Sequence, residues 1–172
     1  MLNLCAWCGT EINSTETDLH LVSHGICDKC KSNIDFQHGG PLEKFIDTLA
    51  TPVLVIDGDC NVQMANQRAL EILGKTPETI RGFKPGVVFE CAYARLPGGC
   101  GKTVHCSGCS IRNTVTGTMN TGASVNKFPA YLNRTPKDSI NGMDLLISTI
   151  KSGSFVLLKV DDIKPSQRKS DQ

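Results

Sequence analysis

Cysteine is the residue type whose number and spacing could do chemistry in this sequence. Nine of the 172 residues are cysteines, and eight of these form two sets of four. The N-terminal quartet comprises two C-x2-C pairs: Cys5, Cys8, Cys27 and Cys30. The central quartet lies in the middle of the chain: Cys91, Cys100, Cys106 and Cys109. The ninth cysteine, Cys60, belongs to neither set.

The N-terminal quartet has the spacing of a structural zinc site. A C-x2-C pair curls the backbone so that both sulfur atoms face one ion, and two such pairs complete a tetrahedral set of ligands. Residues 1–36 contain too little apolar sequence to fold without such a staple. We therefore predict Zn2+ here, with redox or incidental thiols as the alternative. His24 is close in sequence, but four cysteines already fill the site.

The central quartet predicts a second metal site of less certain type. It ends in a C-x2-C pair, and four glycines that permit tight backbone bends surround it: Gly98, Gly99, Gly101 and Gly108. Four thiolates suit either Zn2+ or an iron–sulfur cluster, and the sequence does not separate the two. His105 is an alternative ligand to Cys91, although an exposed loop histidine is the simpler interpretation. Haem is a third option, but the sequence lacks C-x2-C-H, which excludes covalent attachment of the c type.

Two other features near these cysteines have simpler interpretations. Gly101-Lys102-Thr103 looks like the end of a phosphate-binding loop, but the first glycine of that motif is replaced by Leu96. A complete phosphate loop is therefore excluded. Cys60 follows Asp59 in a turn sequence, which predicts an exposed surface thiol, with a reactive redox cysteine as the alternative.

Composition limits the classes of function. The net charge of +1 and the aromatic content of 5% disfavour nucleic acid as a partner. No apolar run approaches the roughly 20 residues that span a membrane, and the N-terminus lacks the pattern of a secretory signal. An odd number of cysteines without such a signal disfavours a disulfide scaffold. We therefore expect a cytoplasmic protein that does not contact a membrane.

The remaining pattern predicts an α+β fold. Leu42–Leu49 has the apolar spacing of an amphipathic helix, and 53–56 with 62–65 form a β-hairpin. A helix with Asn66 as its N-cap and Gly74 as its C-cap follows. The segment 82–109 is expected to be irregular. A helix over 110–122 and three strands, "SVNKFPAYL", "MDLLISTIK" and "SFVLLKVDDI", complete the order. Strands on both sides of a helical middle favour one antiparallel sheet.

Two stretches of this pattern resemble a PAS domain. They are "PVLVIDGDCNVQMANQRALEILG", which resembles the opening hairpin and helix, and "GSFVLLKVDDI", which resembles the final strand. The resemblance implies a five-stranded antiparallel sheet with helices on one face, and a sensory or interaction role in bacterial signal transduction. The central quartet resembles that of cysteine-rich PAS domains in anaerobic or metal-respiring bacteria. "SHGICDKC" resembles zinc-ribbon-like segments attached to bacterial signalling proteins.

These observations predict three parts and one function. The parts are a zinc-ribbon-like segment over 1–36, a PAS-like sensor domain over 41–164 and a disordered tail over 165–172. We expect a bacterial signalling module, not an enzyme, in which redox, oxygen or metal occupancy at the central quartet alters loop order. With no output domain after the last strand, the signal would pass by association with a protein partner, or with a second copy through the PAS-like domain and the 42–49 helix.

Two other classes of function stay open. One is a zinc-dependent transcriptional regulator or adaptor that binds nucleic acid or a partner through the N-terminal segment. Its first 35 residues carry two lysines against five acidic residues, which disfavours nucleic acid. The other is a thiol redox enzyme or a nucleotidase, and the sequence has neither a thioredoxin-like order around a C-x2-C nor a complete phosphate loop.

Overall fold

A computed structural model describes residues 2–14, 22–34, 42–134 and 142–166 of the chain. It divides into two compact units, Met1–Leu49 and Ala50–Gln172. The predicted linker around 37–40 lies outside the described residues. The two units are described separately below.

The first unit is a small sheet with two helices. Its strands are β1 (Leu2–Cys5), β2 (Glu11–Ser14) and β3 (Val22–Gly25), in the order β2-β1-β3. Strand β1 runs antiparallel to β2 and parallel to β3. Its helices are α1 (Asp28–Ile34) and α2 (Leu42–Asp47). The predicted amphipathic helix therefore exists, although it ends at Asp47, and it buries Leu42 and Ile46.

The second unit is built on one five-stranded antiparallel sheet. Its strands are β4 (Val53–Asp57), β5 (Val62–Ala65), β6 (Val125–Leu132), β7 (Met143–Ser152) and β8 (Phe155–Pro165). Their order is β5-β4-β8-β7-β6. The first and last strands of this unit, β4 and β8, are therefore neighbours within the sheet. The predicted α+β fold with one antiparallel sheet is confirmed. Alternate residues of β8, among them Val156, Leu158 and Val160, are buried in the main hydrophobic core.

The helix after the hairpin begins and ends where the sequence predicts. Helix α3 (Gln67–Leu73) has Asn66 at its N-cap and Gly74 at its C-cap, with Gly74 left-handed at φ 61°. Asn66 is fully buried. Its Oδ1 accepts hydrogen bonds from the backbone N–H of Ala69 at 3.0 Å and of Val53 at 2.9 Å. This side chain therefore joins the start of α3 to the start of β4.

The segment predicted to be irregular contains short helices. Within 82–109 lie α5 (Pro85–Val88) and two 3-10 helices, Ala92–Arg95 and Val104–Gly108, and another short helix, α4 (Pro77–Ile80), precedes this segment. Proline at the first turn favours each α-helix start, because its fixed φ suits that position and its missing N–H is not needed there. These helices are one turn long, too short to produce a periodic apolar pattern that the sequence would display.

Helix α6 (Ser110–Thr121) connects the central quartet to the sheet. It starts directly after Cys109 and ends at Gly122, which has φ 74°. The buried hydroxyls of Thr118 on α6 and Thr149 on β7 are hydrogen bonded at 2.7 Å. The predicted helix over 110–122 is therefore confirmed, and its C-terminal half is fixed to the sheet.

The C-terminal strand is longer than predicted. Strand β8 includes Pro165, and the N–H of Ser166 donates to the carbonyl of Gly142 at 3.0 Å. These two residues therefore belong to the ordered end of the β7–β8 pair, and 167–172, the rest of the predicted tail, lie outside the described residues. No helix in the described parts of the chain is long and apolar enough to cross a membrane.

Candidate metal centres

The N-terminal quartet is drawn together into one tight group. The four sulfur atoms all lie within 4.8 Å of one another, with Cys5 and Cys30 buried and Cys8 exposed. Cys5 ends β1, Cys8 lies in the following turn, and Cys30 lies within helix α1. The sequence spacing and the tertiary structure therefore agree on the same four residues.

Backbone hydrogen bonds fix the turns that present these sulfurs. The N–H of Gly9 donates to the carbonyl of Cys5, and the N–H of Cys5 donates to the carbonyl of Thr10, both at 2.8 Å. Gly9 has φ 75°, a conformation that glycine adopts without strain. Backbone N–H groups also donate to sulfur: that of Cys27 to Cys5 Sγ and that of Cys30 to Cys27 Sγ, each at 3.4 Å. Such bonds stabilise thiolates.

The spacing of the sulfur atoms fits a single zinc ion. Four sulfurs at the usual Zn–S distance of about 2.3 Å around a tetrahedral ion stand roughly 3.8 Å apart. The measured separation of Cys8 Sγ and Cys27 Sγ is 3.7 Å. Four thiol donors are one of the ligand sets that closed structural zinc sites use.

The thiols of this group differ in acidity. The hydroxyl of Thr10, which lies 3.2 Å from Cys8 Sγ, is the main cause that lowers the pKa of Cys8 to about 6. Burial is the main cause that raises the pKa of Cys30, and the neighbouring thiols raise it further. A bound cation would stabilise every thiolate and remove this contrast.

The central quartet lines a single cavity in the second unit. The cavity has a volume of about 590 Å3, and all four quartet cysteines are among the residues that line it. Cys106 is buried, whereas Cys91, Cys100 and Cys109 are half-buried. Four cysteines separated by up to 18 positions in the sequence therefore face one space.

Gly86 provides the surface against which Cys100 lies. A Cβ atom at Gly86 would stand 2.6 Å from Cys100 Sγ and 3.5 Å from Cys91 Cβ, so only glycine fits this position without movement. The N–H of Cys91 also donates to the carbonyl of Gly86 at 2.7 Å. Helix α5, which carries Gly86, thus positions two of the four cysteines.

The glycine-rich loop bends around Cys106. Of the four glycines expected to permit tight bends, Gly98, Gly99 and Gly101 have positive φ, whereas Gly108 does not. The N–H of Gly101 donates to Cys106 Sγ at 3.1 Å, and the hydroxyl of Thr103 lies 3.2 Å from the same atom. Burial raises the pKa of Cys106, but these hydrogen bonds outweigh it and lower the pKa overall.

The same contacts argue against phosphate binding by Gly101-Lys102-Thr103. The Gly101 N–H, which would cradle a phosphate in such a loop, donates instead to a cysteine sulfur. His105, the alternative ligand to Cys91, is exposed and stacks on Tyr93 with ring centroids 4.0 Å apart.

The sulfurs of the central quartet are more widely spaced than those of the N-terminal quartet. In the described parts of the chain, the N-terminal quartet alone forms a group of three or more ligand atoms within 4.8 Å of one another. Burial raises the pKa of both Cys91 and Cys100, and neighbouring thiolates add to the effect. A single zinc ion would require these sulfurs to move closer, whereas a cluster contains its own sulfide and holds its thiolates farther apart.

Cys60 also lines this cavity, a location that its local sequence does not predict. It is half-buried and packs against the main hydrophobic core, so the prediction of an exposed surface thiol is wrong. Burial raises its pKa, although Lys84 opposes the effect. The turn signal around Asp57–Asn61 correctly indicated a hairpin, but no local pattern indicates which side chain of a turn faces a distant loop.

The family comparison agrees with the observed sheet. Residues 42–105 match a family model described as "PAS domain". The chain contains a PAS-like domain. The matched segment is less than half of the chain, and it includes Cys91 and Cys100 but ends before Cys106 and Cys109. No curated protein matches the sequence.

Several solved PAS and sensor structures are similar to the PAS-like domain. The Cronobacter turicensis RpfR quorum-sensing receptor PAS domain, in complex with BDSF, is 17% identical, with 66% of this chain and 94% of that chain covered and a TM-score of 0.48. A domain of a sensory box sensor histidine kinase/response regulator from Geobacter sulfurreducens is 11% identical, with 70% and 90% covered and a TM-score of 0.48. At TM-scores below 0.5, these likenesses say nothing about ligands or partners.

Proposed function

We propose that this chain is a signal-transduction module in which the central quartet of the PAS-like domain binds a redox-active metal group. The observation that carries the proposal is the cavity of about 590 Å3 lined by all four quartet cysteines. PAS-like domains are generally sensory modules without enzymatic activity, which agrees with a role in sensing.

The residues that would hold the group are Cys91, Cys100, Cys106 and Cys109. The lack of a side chain at Gly86 leaves space beside Cys100, and the Gly101 N–H and Thr103 hydroxyl favour a thiolate at Cys106. The wide sulfur spacing favours an iron–sulfur cluster over a single Zn2+ ion. When bound, such a cluster would supply a redox-active centre that oxygen or other oxidants can alter. A Zn2+ ion does not itself change oxidation state.

The N-terminal quartet would bind Zn2+ with a different purpose. Its sulfur spacing fits one tetrahedral ion, and among the described residues of the first unit few apolar side chains are buried. We therefore assign it a structural role, in which the metal stabilises the first unit.

The signal would reach other proteins through helix α6. This helix begins at Cys109 and is hydrogen bonded to β7 through Thr118 and Thr149, so a change in the cysteine loop would shift a helix attached to the sheet. The proposed output is altered association with a protein partner or a second copy of the chain in the cytoplasm.

Metal analysis of anaerobically purified protein tests the proposal. We expect about one zinc per chain together with iron and sulfide, and a broad absorption band near about 400 nm. Cys106→Ser should remove iron and sulfide but retain zinc, and Cys30→Ser should do the reverse. Metal confined to the N-terminal quartet would refute the proposal.

Light scattering of the same samples tests the output. We expect the association state, alone or with a captured partner, to change when the anaerobic protein is exposed to air. Cys106→Ser should remove that change, whereas a change that persists in this variant would mean that the central quartet does not control association.

A further inference from the structure

The cavity of the PAS-like domain contains five thiols, although only four belong to the central quartet. Cys60 lines the cavity together with the quartet. It lies in the turn between β4 and β5, far in sequence from the glycine-rich loop that carries Cys100. Burial raises the pKa of Cys60, and electrostatic interactions with the quartet thiols Cys100 and Cys109 raise it further.

Hydrogen bonds within the β4–β5 turn fix the backbone conformation at Cys60. Cys60 has φ 60°, a left-handed conformation that is unfavourable for a residue with a Cβ atom. The carboxylate of Asp57 accepts hydrogen bonds from the N–H of Asp59 at 3.0 Å and of Asn61 at 2.9 Å. Gln63 Nε2 donates to the same carboxylate at 2.6 Å. The turn therefore has a defined conformation, which sets the direction of the Cα–Cβ bond of Cys60.

A second contact joins this turn to the segment that positions the quartet. The ammonium group of Lys84 donates a hydrogen bond to the carbonyl of Asp59, the residue before Cys60. Lys84 directly precedes helix α5, whose Gly86 contacts Cys100 and Cys91. One short piece of chain thus holds both the fifth thiol and two quartet thiols.

The charge of the cavity lining suits a group bound by thiolates. Lys84, Lys102 and Arg112 line the cavity, against the single acidic residue Asp59. A metal group with four thiolate ligands carries net negative charge, which nearby cationic side chains stabilise.

We propose that Cys60 is a spare ligand of this site, able to replace Cys100 or Cys109 on the bound metal group. The inference rests on the proposed function, because it assumes that the cavity holds such a group. In such an exchange, Cys60 Sγ would take the place of the departing thiolate as a ligand, one metal–sulfur bond forming as another breaks. The incoming thiol releases its proton to solvent and the departing thiolate takes one up, so no electrons are transferred.

Reconstitution of the full chain with ferrous iron and sulfide, without oxygen, tests the exchange. Cys100→Ser alone should retain most of its iron because Cys60 replaces the missing ligand. Cys60→Ser/Cys100→Ser should hold iron about tenfold more weakly against a chelator, the usual scale for loss of a metal-supporting residue. We expect the same difference in iron retention between Cys109→Ser and Cys60→Ser/Cys109→Ser.

Two further measurements separate loss of the thiol from loss of the fold. Glycine at position 60 removes the thiol but suits the left-handed backbone better than serine does. Cys60→Gly/Cys100→Ser should therefore lose as much iron as Cys60→Ser/Cys100→Ser, if the thiol and not the fold is responsible. Mass-spectrometric mapping of iodoacetamide labelling should show Cys60 protected by about tenfold in loaded Cys100→Ser, since a metal-bound thiolate is not free to react.

The outcomes distinguish this inference from the proposed function. Equal iron retention with and without Cys60, together with unprotected Cys60, would overturn the inference and leave the proposed function intact. Absence of iron uptake by the unaltered chain would overturn both.

Discussion

The two cysteine quartets use the same ligand type in opposite structural settings. The sulfurs of the N-terminal quartet are preassembled, with 3.7 Å between Cys8 Sγ and Cys27 Sγ, and they are surrounded by a sheet of three four-residue strands. The central quartet lies in a cavity of about 590 Å3 beside a core built from five longer strands and α6. We therefore expect the first unit to depend on a bound metal for stability, and the second unit to stay folded without one.

The largest expected effect is the loss of structure in the first unit, but not in the second, when metal is removed. A chelator, or Cys30→Ser, should unfold the first unit, because structural zinc contributes on the order of 10 kcal/mol to folds of this kind. Limited proteolysis should then cleave within residues 1–49 while 50–172 stay protected. Lys31→Ala, an exposed change on the same helix, is the matched control and should leave the pattern unaltered. A first unit that resists proteolysis without metal would contradict the comparison.

The second prediction tests whether the PAS-like domain is stable through its own hydrogen bonds and core. Asn66→Ala removes the N-cap of α3 and leaves the buried N–H of Val53 without its partner. We expect a loss of about 2–4 kcal/mol in the free energy of unfolding, the sum of a lost cap and an unsatisfied buried donor.

Urea unfolding followed by a signal from the second unit measures this loss. The loss should be the same with and without chelator, since the hydrogen bonds that Asn66 makes to Thr51, Val53 and Ala69 join α3 to β4 and not to a quartet loop. Gln67→Ala, the next residue and an exposed one, should change stability by less than about 0.5 kcal/mol. A chelator-dependent loss would mean that the two units differ less than proposed.

A third prediction concerns the open site itself. Gly86→Ala places a Cβ atom 2.6 Å from Cys100 Sγ, and Cys100 has to move away. We expect less iron or zinc at the central quartet, with a loss of about 1–3 kcal/mol in stability from overpacking. Metal content per chain and labelling of Cys100 measure the effect.

Gly108→Ala is the matched control, because Gly108 lines the same cavity but an added Cβ would meet nothing within 4 Å. The N-terminal quartet should keep its zinc in both variants. Equal metal content in both would show that the space beside Cys100 at Gly86 is not required for metal binding.

The smallest expected effect concerns an ion pair beside the central quartet. Glu90 precedes Cys91 and contacts Lys75 at 2.8 Å and Arg134 at 2.9 Å. The hydrogen bond from Lys75, and then that from Arg134, lowers the pKa of Glu90. These side chains are more than a third exposed except for Lys75, so solvent screening limits the stabilisation to about 0.5–1 kcal/mol.

The pH dependence follows from the direction of that shift. A carboxyl group whose pKa is lowered on folding contributes its stabilisation above its ordinary pKa, and loses it as the pH falls through the lowered value. Glu90→Gln should therefore be less stable than the unaltered chain near neutral pH and equally stable in acid. Thermal unfolding against pH measures this, with Glu71→Gln at an exposed 3.7 Å pair as control. A difference that persists in acid would assign the effect to packing.

Local patterns were sufficient for much of the fold and for one of the two sites. Asn66 and Gly74 cap α3 as predicted, because capping depends on residues within one turn of a helix end. The N-terminal quartet assembles as its C-x2-C spacing predicts, since each pair is closed by its own short turn. The short helices within 77–109 were missed because one turn of helix leaves no periodic signal.

The sequence by itself determined the α+β class, the strands of the sheet, the helix caps and the N-terminal quartet, each of which follows from the spacing of nearby residues. Only the tertiary structure placed Cys60 in the cavity of the central quartet and separated the quartet's sulfurs more widely than a single ion requires. The physical reason is that both depend on how the β4–β5 turn, helix α5 and the glycine-rich loop pack together, and that packing is set by contacts between segments distant in the sequence.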